Sequence, residues 1–156
     1  AVFTEGDNLK GIRLHSQPDS SKIWQKRTLM PTPYITKQEE DVPLQMRGKE
    51  VFKFAVGAST TEVEALLKEI GMSKSDVRFY MVHQANLRII DAIKKYLDEP
   101  DEKFPVNIQD HGNSSSASCA ILLDECNRKG MFKPGDILVF SAFGAGLLSA
   151  AAVLEW

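Results

Sequence analysis

Three features of this sequence place polar or small residues where predicted β-strands end. His83 follows a short apolar run, Asn113 lies in a Gly-Asn turn before a helix-forming segment, and Gly144-Ala145-Gly146 separates two apolar runs. Strand ends are the usual position of site residues in open α/β sheets. Histidine and asparagine side chains donate hydrogen bonds to a carbonyl oxygen that gains negative charge, and small residues let a backbone approach a ligand closely. The pattern therefore predicts a pocket that stabilises an oxyanion or an enolate.

The elements that must position these residues alternate between strand and helix. His83 lies at the junction of a predicted strand over Val77–Val82 and a predicted amphipathic helix over Ala85–Leu97. Such alternation favours an α/β layer with a largely parallel sheet, and the last two adjacent strands favour an antiparallel edge. The other predicted elements are strands at 1–4 and 9–17, a helix at 49–70, strands at 104–108, 137–142 and 148–155, and a small-residue helix that ends at Gly130.

Length and composition indicate one ordinary globular domain over residues 1–156. The chain is 43% hydrophobic and 26% charged with a formal net charge of −2, and it has no basic tract of the kind that binds nucleic acid. No transmembrane helix or signal peptide is recognisable, so we expect no membrane association and a cytoplasmic location. A long irregular segment over 19–45 carries three prolines, and loops of this length in compact domains are usually functional or flexible.

The two cysteines are predicted to be reduced thiols. Cys119 and Cys126 lie seven residues apart on one predicted helix, which separates them by about 10 Å and excludes a disulfide between them. No other ligands stand at a spacing that would complete a zinc site with them. We therefore expect no metal.

Four ordered motifs resemble one enzyme family over nearly the whole chain. His83 to Arg88 (HQANLR) resembles the HQANxRI signature of β-ketoacyl-acyl-carrier-protein synthase III, a condensing enzyme of the thiolase superfamily, and Gly112 to Ser118 (GNSSSAS) resembles its GNTSxAS element. Residues 47–56 (RGKEVFKFAV) and the stretch from Gly135 to Trp156 resemble its helix start and its C-terminal strand pair. The resemblance implies a thiolase-like C-terminal domain with a mixed five-stranded sheet layered with helices.

The resemblance also implies a chemistry and its site residues. A cysteine takes an acyl group from acyl-CoA, and malonyl-acyl-carrier-protein loses carbon dioxide to form the carbanion that attacks this thioester. His83 and Asn113 match the family's catalytic histidine and asparagine, which hydrogen-bond the malonyl thioester oxygen. The backbone N–H of Ala145 matches an oxyanion donor. No cofactor is implied beyond the two substrates, and the 19–45 segment would lie near the substrate entrance.

Basic residues of the family motifs imply a second, acidic partner. Arg88 and Lys53 match positions that meet acyl carrier protein, and Lys95 and Asn86 are assigned to the same carrier-protein and CoA-binding surface. Positive charge of this kind steers an acidic partner. Taken without the resemblance, these positions would be read as solvated helix faces, as most surface charges are.

The main departure from the family concerns the nucleophile. In the family, the reactive cysteine begins a buried helix in the first half of the protein, and this chain resembles only the second half. Cys119 and Cys126 lie where the family has packing residues, without the helix N-terminal position that lowers a thiol pKa. We therefore expect this chain to lack the nucleophile, to be inactive alone, and to need an N-terminal half within a homodimeric enzyme.

Two other interpretations stay open at this stage. The chain fits equally a specialised condensing or acyl-transfer relative in polyketide or secondary metabolism. It also fits a non-catalytic subunit that docks acyl carrier protein or pairs with a catalytic half. His83 by itself would more often be a core histidine. The HQAN context together with Asn113 favours catalysis.

Overall fold

Strands and helices follow one another along the chain largely as the sequence predicts. The structure, a computed structural model, describes residues 6–25, 33–34 and 43–156. The predicted strand at 1–4 lies outside these ranges, as do 26–32 and 35–42 of the long segment. The elements are β1 (Leu9–Ser16), β2 (Ile23–Trp24), β3 (Gln45–Met46), α1 (Gly48–Glu69), β4 (Val77–Val82), α2 (Leu87–Leu97), α3 (Ile108–His111), α4 (Ser118–Arg128), β5 (Ile137–Gly144) and β6 (Leu148–Glu155).

The main sheet is mixed, as predicted, but it is not largely parallel. Its described strands lie in the order β1-β6-β5-β4, and β2 pairs only with β3. β4 and β5 are parallel, whereas β5–β6 and β1–β6 are antiparallel. The antiparallel β5–β6 pair was predicted, but β6 is not an edge strand. The prediction overestimated the parallel content because β1 also pairs antiparallel with β6, a contact between the two ends of the chain that no local pattern indicates.

The predicted strand at 104–108 is wrong, and the described sheet has four strands rather than five. Phe104 is buried with its ring stacked on that of Tyr80, 4.7 Å between centroids. Pro105 has no N–H to give to a ladder. The N–H of Asn107 donates instead to the side chain of Gln84 at 3.2 Å. Its apolar residues and short length predicted a strand. In the structure, however, the Phe104 ring packs on another side chain, and the Asn107 N–H donates to a side chain instead of to a neighbouring strand.

Helices cover both faces of the sheet at β4, whose side chains alternate between the two faces. In β4, Tyr80 and Val82 belong to a core cluster shared with α1 and α2, whereas Phe79 and Met81 belong to a second cluster shared with α4. Both faces of β4 are therefore buried, which explains its nearly continuous apolar sequence. This sandwiching fixes the strand ends that carry the candidate site.

The parallel pairing of β4 and β5 brings two predicted site segments to one edge of the sheet. Val82 lies opposite Ser141, so the chain that leaves β4 at His83 is beside the end of β5 and the following turn. The N–H of His83 donates to the Ser141 carbonyl at 2.8 Å, which continues the ladder by one residue.

Within the described ranges, no helix combines the length and apolar character that crossing a bilayer requires.

Candidate active site

A cleft of about 990 Å³ opens at this edge of the sheet. His83, Asn113 and the turn containing Ala145 all line it, so the structure brings the three predicted features together. Asn86 lines it as well. Other lining residues are His15, Phe52, Phe54, Ala85, Ser116, Ser118, Cys119, Phe143, Leu147 and Leu148. The cleft wall is mostly apolar, with a few polar groups, as ligand sites usually are.

His83 is held from behind by a buried serine. Its Nδ1 lies 2.5 Å from the Oγ of Ser118, which is only 1% exposed, and the ring of Phe143 meets the imidazole edge-on at 5.2 Å. Burial lowers the pKa of His83 below its ordinary 6.5, so the imidazole is neutral at neutral pH. A neutral imidazole has one donor nitrogen and one acceptor nitrogen.

The partners of Ser118 assign these two roles. Its Oγ accepts a hydrogen bond from the N–H of Gln84 at 3.2 Å, which leaves the hydroxyl hydrogen to be donated. An imidazole nitrogen is a better acceptor than the neighbouring thiol sulfur of Cys119. Donation from the hydroxyl to Nδ1 satisfies both groups, and it corresponds to the tautomer with the ring hydrogen on Nε2. His83 thus offers an N–H donor to a ligand.

Ser118→Ala is expected to leave the Nε2–H donor of His83 poorly oriented. The variant removes the partner of Nδ1 and leaves the buried Gln84 N–H without an acceptor, which should cost about 1–3 kcal/mol of unfolding free energy. Because the histidine is then free to reorient, we expect the malonyl-thioester decarboxylation that the sequence resemblance implies for the full protein to slow about tenfold. Thermal unfolding and a decarboxylation assay would measure the two effects.

Ser116→Ala is the matched control, since Ser116 is exposed and lines the same cleft. It should leave both the unfolding midpoint and the rate unchanged. Equal behaviour of the two variants would contradict the role given to Ser118.

Asn113 is oriented by the turn that contains it. Gly112, at φ +62°, makes the bend, and the Oδ1 of Asn113 accepts from the N–H of Ser115 at 3.0 Å. Glycine adopts this left-handed conformation without a steric penalty. Because Oδ1 is engaged, the Nδ2 group is the part of the amide that remains for a ligand. Among the described residues Nδ2 has no hydrogen-bond partner.

The turn between β5 and β6 presents the backbone of Ala145 to the cleft. Gly146 follows at φ +144°, and a Cβ added there would lie 2.6 Å from the Cγ of Leu148, so this position requires glycine. Gln17 and Leu147 exchange backbone hydrogen bonds of 2.9 and 3.1 Å, which fix the turn to the end of β1. The Ala145 N–H forms no backbone hydrogen bond to a described residue.

Neither cysteine has the environment of an activated nucleophile. Cys119 lines the cleft, but burial raises its thiol pKa, and its Sγ lies 3.7 Å from the Met81 carbonyl oxygen. Cys126 is buried in the cluster under α4, and burial raises its pKa as well. Both are free thiols. A raised pKa disfavours the thiolate, which is the reactive form.

The predicted carrier-protein residues do not share one position. Asn86 caps α2 by accepting from the N–H of Arg88 at 2.9 Å, and Arg88 is exposed beside the cleft residue Asn86. Lys53 is exposed on α1 between the cleft-lining Phe52 and Phe54. Lys95 lies farther away, where it borders a separate surface pocket at the C-terminal end of α2. The structure therefore separates Lys95 from the cleft, and its role stays a prediction.

Several polar residues behind the cleft were not found from the sequence. They are Ser118 together with the side chains of Gln84, Asn107, His111 and Glu125, which form a connected set of hydrogen bonds. Gln84 and Ser118 lie within recognised motifs, but Asn107, His111 and Glu125 carry no local signal because they meet only in the fold. The described His, Cys, Asp and Glu side chains form no group of three or more that could hold a metal ion.

This mixed sheet, its helical layers and its strand-end cleft define a domain of the thiolase-like class. The family 3-oxoacyl-[acyl-carrier-protein (ACP)] synthase III C terminal matches residues 67–156, and the chain belongs to this family. A solved 3-oxoacyl-(acyl-carrier-protein) synthase III from Thermus thermophilus superposes with a TM-score of 0.83 at 36% identity, covering 95% of this chain and 46% of that one. The Aquifex aeolicus structure gives 0.80 at 30% identity, covering 98% and 46%.

Curated relatives give the same assignment by sequence. The β-ketoacyl-[acyl-carrier-protein] synthase III of Helicobacter pylori (strain Shi470) is 39% identical over 136 residues, which is 86% of this chain and 41% of the relative. The enzyme of Lactobacillus delbrueckii subsp. bulgaricus is 40% identical over 158 residues, which is 99% of this chain and 50% of the relative. The chain thus spans at most about half the length of these relatives.

Proposed function

We propose that this chain is the C-terminal half of a 3-oxoacyl-acyl-carrier-protein synthase III, an acyltransferase that condenses acyl-CoA with malonyl-acyl-carrier-protein. One observation carries the proposal most directly. Two neutral donors, the Nε2–H of His83 and the Nδ2 of Asn113, belong to residues of one cleft, and each is left available because its other polar atom is engaged. Fixed neutral donors of this kind suit a carbonyl oxygen that becomes an enolate oxygen.

The proposed reaction follows from these donors. The malonyl thioester binds with its carbonyl oxygen between the two side chains. The bond to the carboxylate breaks, carbon dioxide leaves, and the electron pair moves onto the thioester as an enolate. The enolate carbon then attacks the acyl-cysteine carbonyl, where the Ala145 N–H binds the developing oxyanion. A C–C bond forms, the C–S bond breaks, and the cysteine thiolate is released with the 3-oxoacyl product on the carrier protein.

The nucleophilic cysteine is proposed to lie outside this chain. The raised thiol pKa values of Cys119 and Cys126 argue against either as the acyl acceptor. Large apolar side chains at the cleft rim also support a covering segment, because Leu14 is 75% and Leu148 is 48% exposed. Exposed apolar surface beside a ligand site is typical of an interface with further protein. An N-terminal half that carries the cysteine, within a homodimer, would supply that cover.

Acyl carrier protein is the proposed macromolecular partner. Arg88 and Lys53 are exposed on helices whose neighbouring residues line the cleft, so an acidic carrier bound there would have its thioester close to His83. Their charges would steer association more than they would add affinity. Lys95 would extend this surface along α2, while Asn86 at the cleft would meet the pantetheine arm of CoA or carrier protein.

Mass spectrometry of the full protein that contains this chain tests the proposal. Incubation with acetyl-CoA should give a single acetyl-cysteine in a peptide outside residues 1–156, and subsequent malonyl-acyl-carrier-protein should be converted to the 3-oxoacyl form. An adduct on Cys119 or Cys126 would contradict the half-enzyme assignment. Acylation without any carrier-bound 3-oxoacyl product would contradict the condensing activity.

A further inference from the structure

A single carboxylate on α4 connects the two turns that carry His83 and Asn113. Glu125 uses both of its oxygens to hold the two ends of the short helix α3. Its Oε2 accepts from the Nδ2 of Asn107, the residue before α3, at 3.2 Å. Its Oε1 accepts from the Nε2 of His111, the last residue of α3.

The Asn107 end of α3 is connected to the turn of His83. The N–H of Asn107 donates to the Oε1 of Gln84, whose Nε2 donates to the Val82 carbonyl at 2.8 Å. Gln84 is 1% exposed and Asn107 is 3% exposed, so water cannot readily replace these bonds. Because Gln84 directly follows His83, the position of Asn107 determines how this turn sits against the rest of the cleft wall.

The His111 end of α3 is connected to the turn of Asn113. His111 donates its N–H to the Asn107 carbonyl at 3.2 Å, and Gly112 donates to the Ile108 carbonyl at 2.8 Å. The chain then bends at Gly112 and reaches Asn113 one residue later. A displacement of His111 would therefore move Asn113 with it.

Glu125 has the charge that these contacts require. The hydrogen bond from His111, and after it that from Asn107, lowers the pKa of Glu125, so the group is ionised at neutral pH and accepts at both oxygens. The ammonium group of Lys129 also lies near this carboxylate, with its Nζ 3.9 Å from Oε2. Glu125 does not line the cleft, so it acts only through its partners.

We propose that Glu125 is a positioning residue that sets the spacing of His83 and Asn113 by holding both ends of α3. The two turns are far apart in sequence, and this carboxylate gives them a common attachment on α4. The consequence for catalysis rests on the proposed condensing function. The structural claim, that Glu125 attaches both turns to α4, does not depend on that function.

Glu125→Met is the informative substitution, and Asp124→Asn is its matched control. Methionine has nearly the same length as glutamate, but its thioether is only a weak acceptor and cannot donate, so the contacts to Asn107 and His111 are both lost. Asp124 is the preceding residue, is exposed, and pairs with Arg128 at 2.7 Å on the outer side of the helix. Both substitutions remove one negative charge from α4.

Amide hydrogen exchange of the full protein tests the attachment without any assay of activity. Glu125→Met should raise exchange about tenfold or more in both turns, residues 83–86 and 111–115, while β5 and α1 stay protected as in Asp124→Asn. Faster exchange in only one turn, or in neither, would overturn the proposal. Faster exchange throughout the chain with a lowered unfolding midpoint would also overturn it, since Glu125 would then be a general stabilising residue.

Kinetics then test whether the spacing matters for the reaction. In Glu125→Met, kcat for decarboxylation should fall about tenfold or more, with KM for malonyl-acyl-carrier-protein and the rate of cysteine acylation within about twofold of the unsubstituted protein. Unchanged decarboxylation would overturn the positioning role. If the unsubstituted protein and Asp124→Asn both fail to decarboxylate, the proposed function is wrong, and the exchange data alone decide whether Glu125 holds the turns.

Discussion

Alanine in place of Asn113 is expected to abolish decarboxylation of the malonyl thioester while leaving acylation of the nucleophilic cysteine largely intact. The amide Nδ2 is needed only where enolate charge builds, and loss of one such donor lowers a rate by about 10²–10³-fold. In the proposed mechanism, acylation of the cysteine uses the Ala145 N–H instead. Release of carbon dioxide and acetylation of the full protein, measured separately, would resolve the two steps.

Asn113→Asp separates donation from turn geometry. Aspartate keeps an oxygen that accepts from the Ser115 N–H, as Oδ1 does now, but it has no side-chain N–H. It should therefore lose decarboxylation as fully as alanine does. Asn127→Ala, an exposed change on α4, serves as the control and should keep both steps. Equal loss of acylation and decarboxylation in the Asn113 variants would contradict the assigned role.

His83→Ala is expected to have an effect of the same size on decarboxylation, about 10²–10³-fold, because it removes the second donor to the enolate oxygen. His15→Ala is the matched control. His15 lines the rim of the same cleft from β1 but is exposed, and no role in the reaction is assigned to it. If both histidine variants lost the same activity, a general change in the cleft would explain the result better than a specific donor.

The pH profile provides a second test of His83. Burial lowers its pKa from 6.5, so the neutral donor persists as the pH falls below 6.5 and becomes protonated only at a lower pH. The acid limb of kcat/KM for decarboxylation, which reports groups of the free enzyme, should therefore lie below pH 6.5 and vanish in His83→Ala. An acid limb above pH 6.5 that His83→Ala removes would contradict a neutral, half-buried donor.

Local sequence patterns were sufficient to predict the elements whose structure depends mainly on neighbouring residues. The apolar run Val77–Val82 forms β4 at its predicted bounds, and the helix predicted at 49–70 forms as Gly48–Glu69. The helix predicted from Ala85 begins at Leu87, because the Asn86 side chain caps it. Strand periodicity and helical spacing were enough, since each depends on neighbours within a few residues.

Asn113 was predicted at a strand end, but it follows the short helix α3 instead. The sequence correctly placed His83 and the Gly144–Gly146 turn at strand ends, and the family resemblance correctly gave the fold class. It was wrong on residues 104–108, where the ring of Phe104 stacks on Tyr80 and the Asn107 N–H finds a side-chain acceptor. These partners lie about 23 residues away in the chain. A short apolar run therefore contains no sign that its hydrogen bonds go elsewhere.

Only the tertiary structure decided how the site residues are held. Ser118 meets His83 across 35 residues of chain, and Glu125 joins α3 to α4 across 14. Ser118 lies within a recognised motif, but the motif does not indicate that its hydroxyl contacts His83. A glutamate on a helix is usually a solvated residue, so no local pattern marks Glu125. The amino-acid sequence determined which donors the cleft contains, because donor chemistry belongs to a residue type. Their orientation and spacing came from packing, because hydrogen bonds between distant segments exist only once the sheet and its helices have assembled.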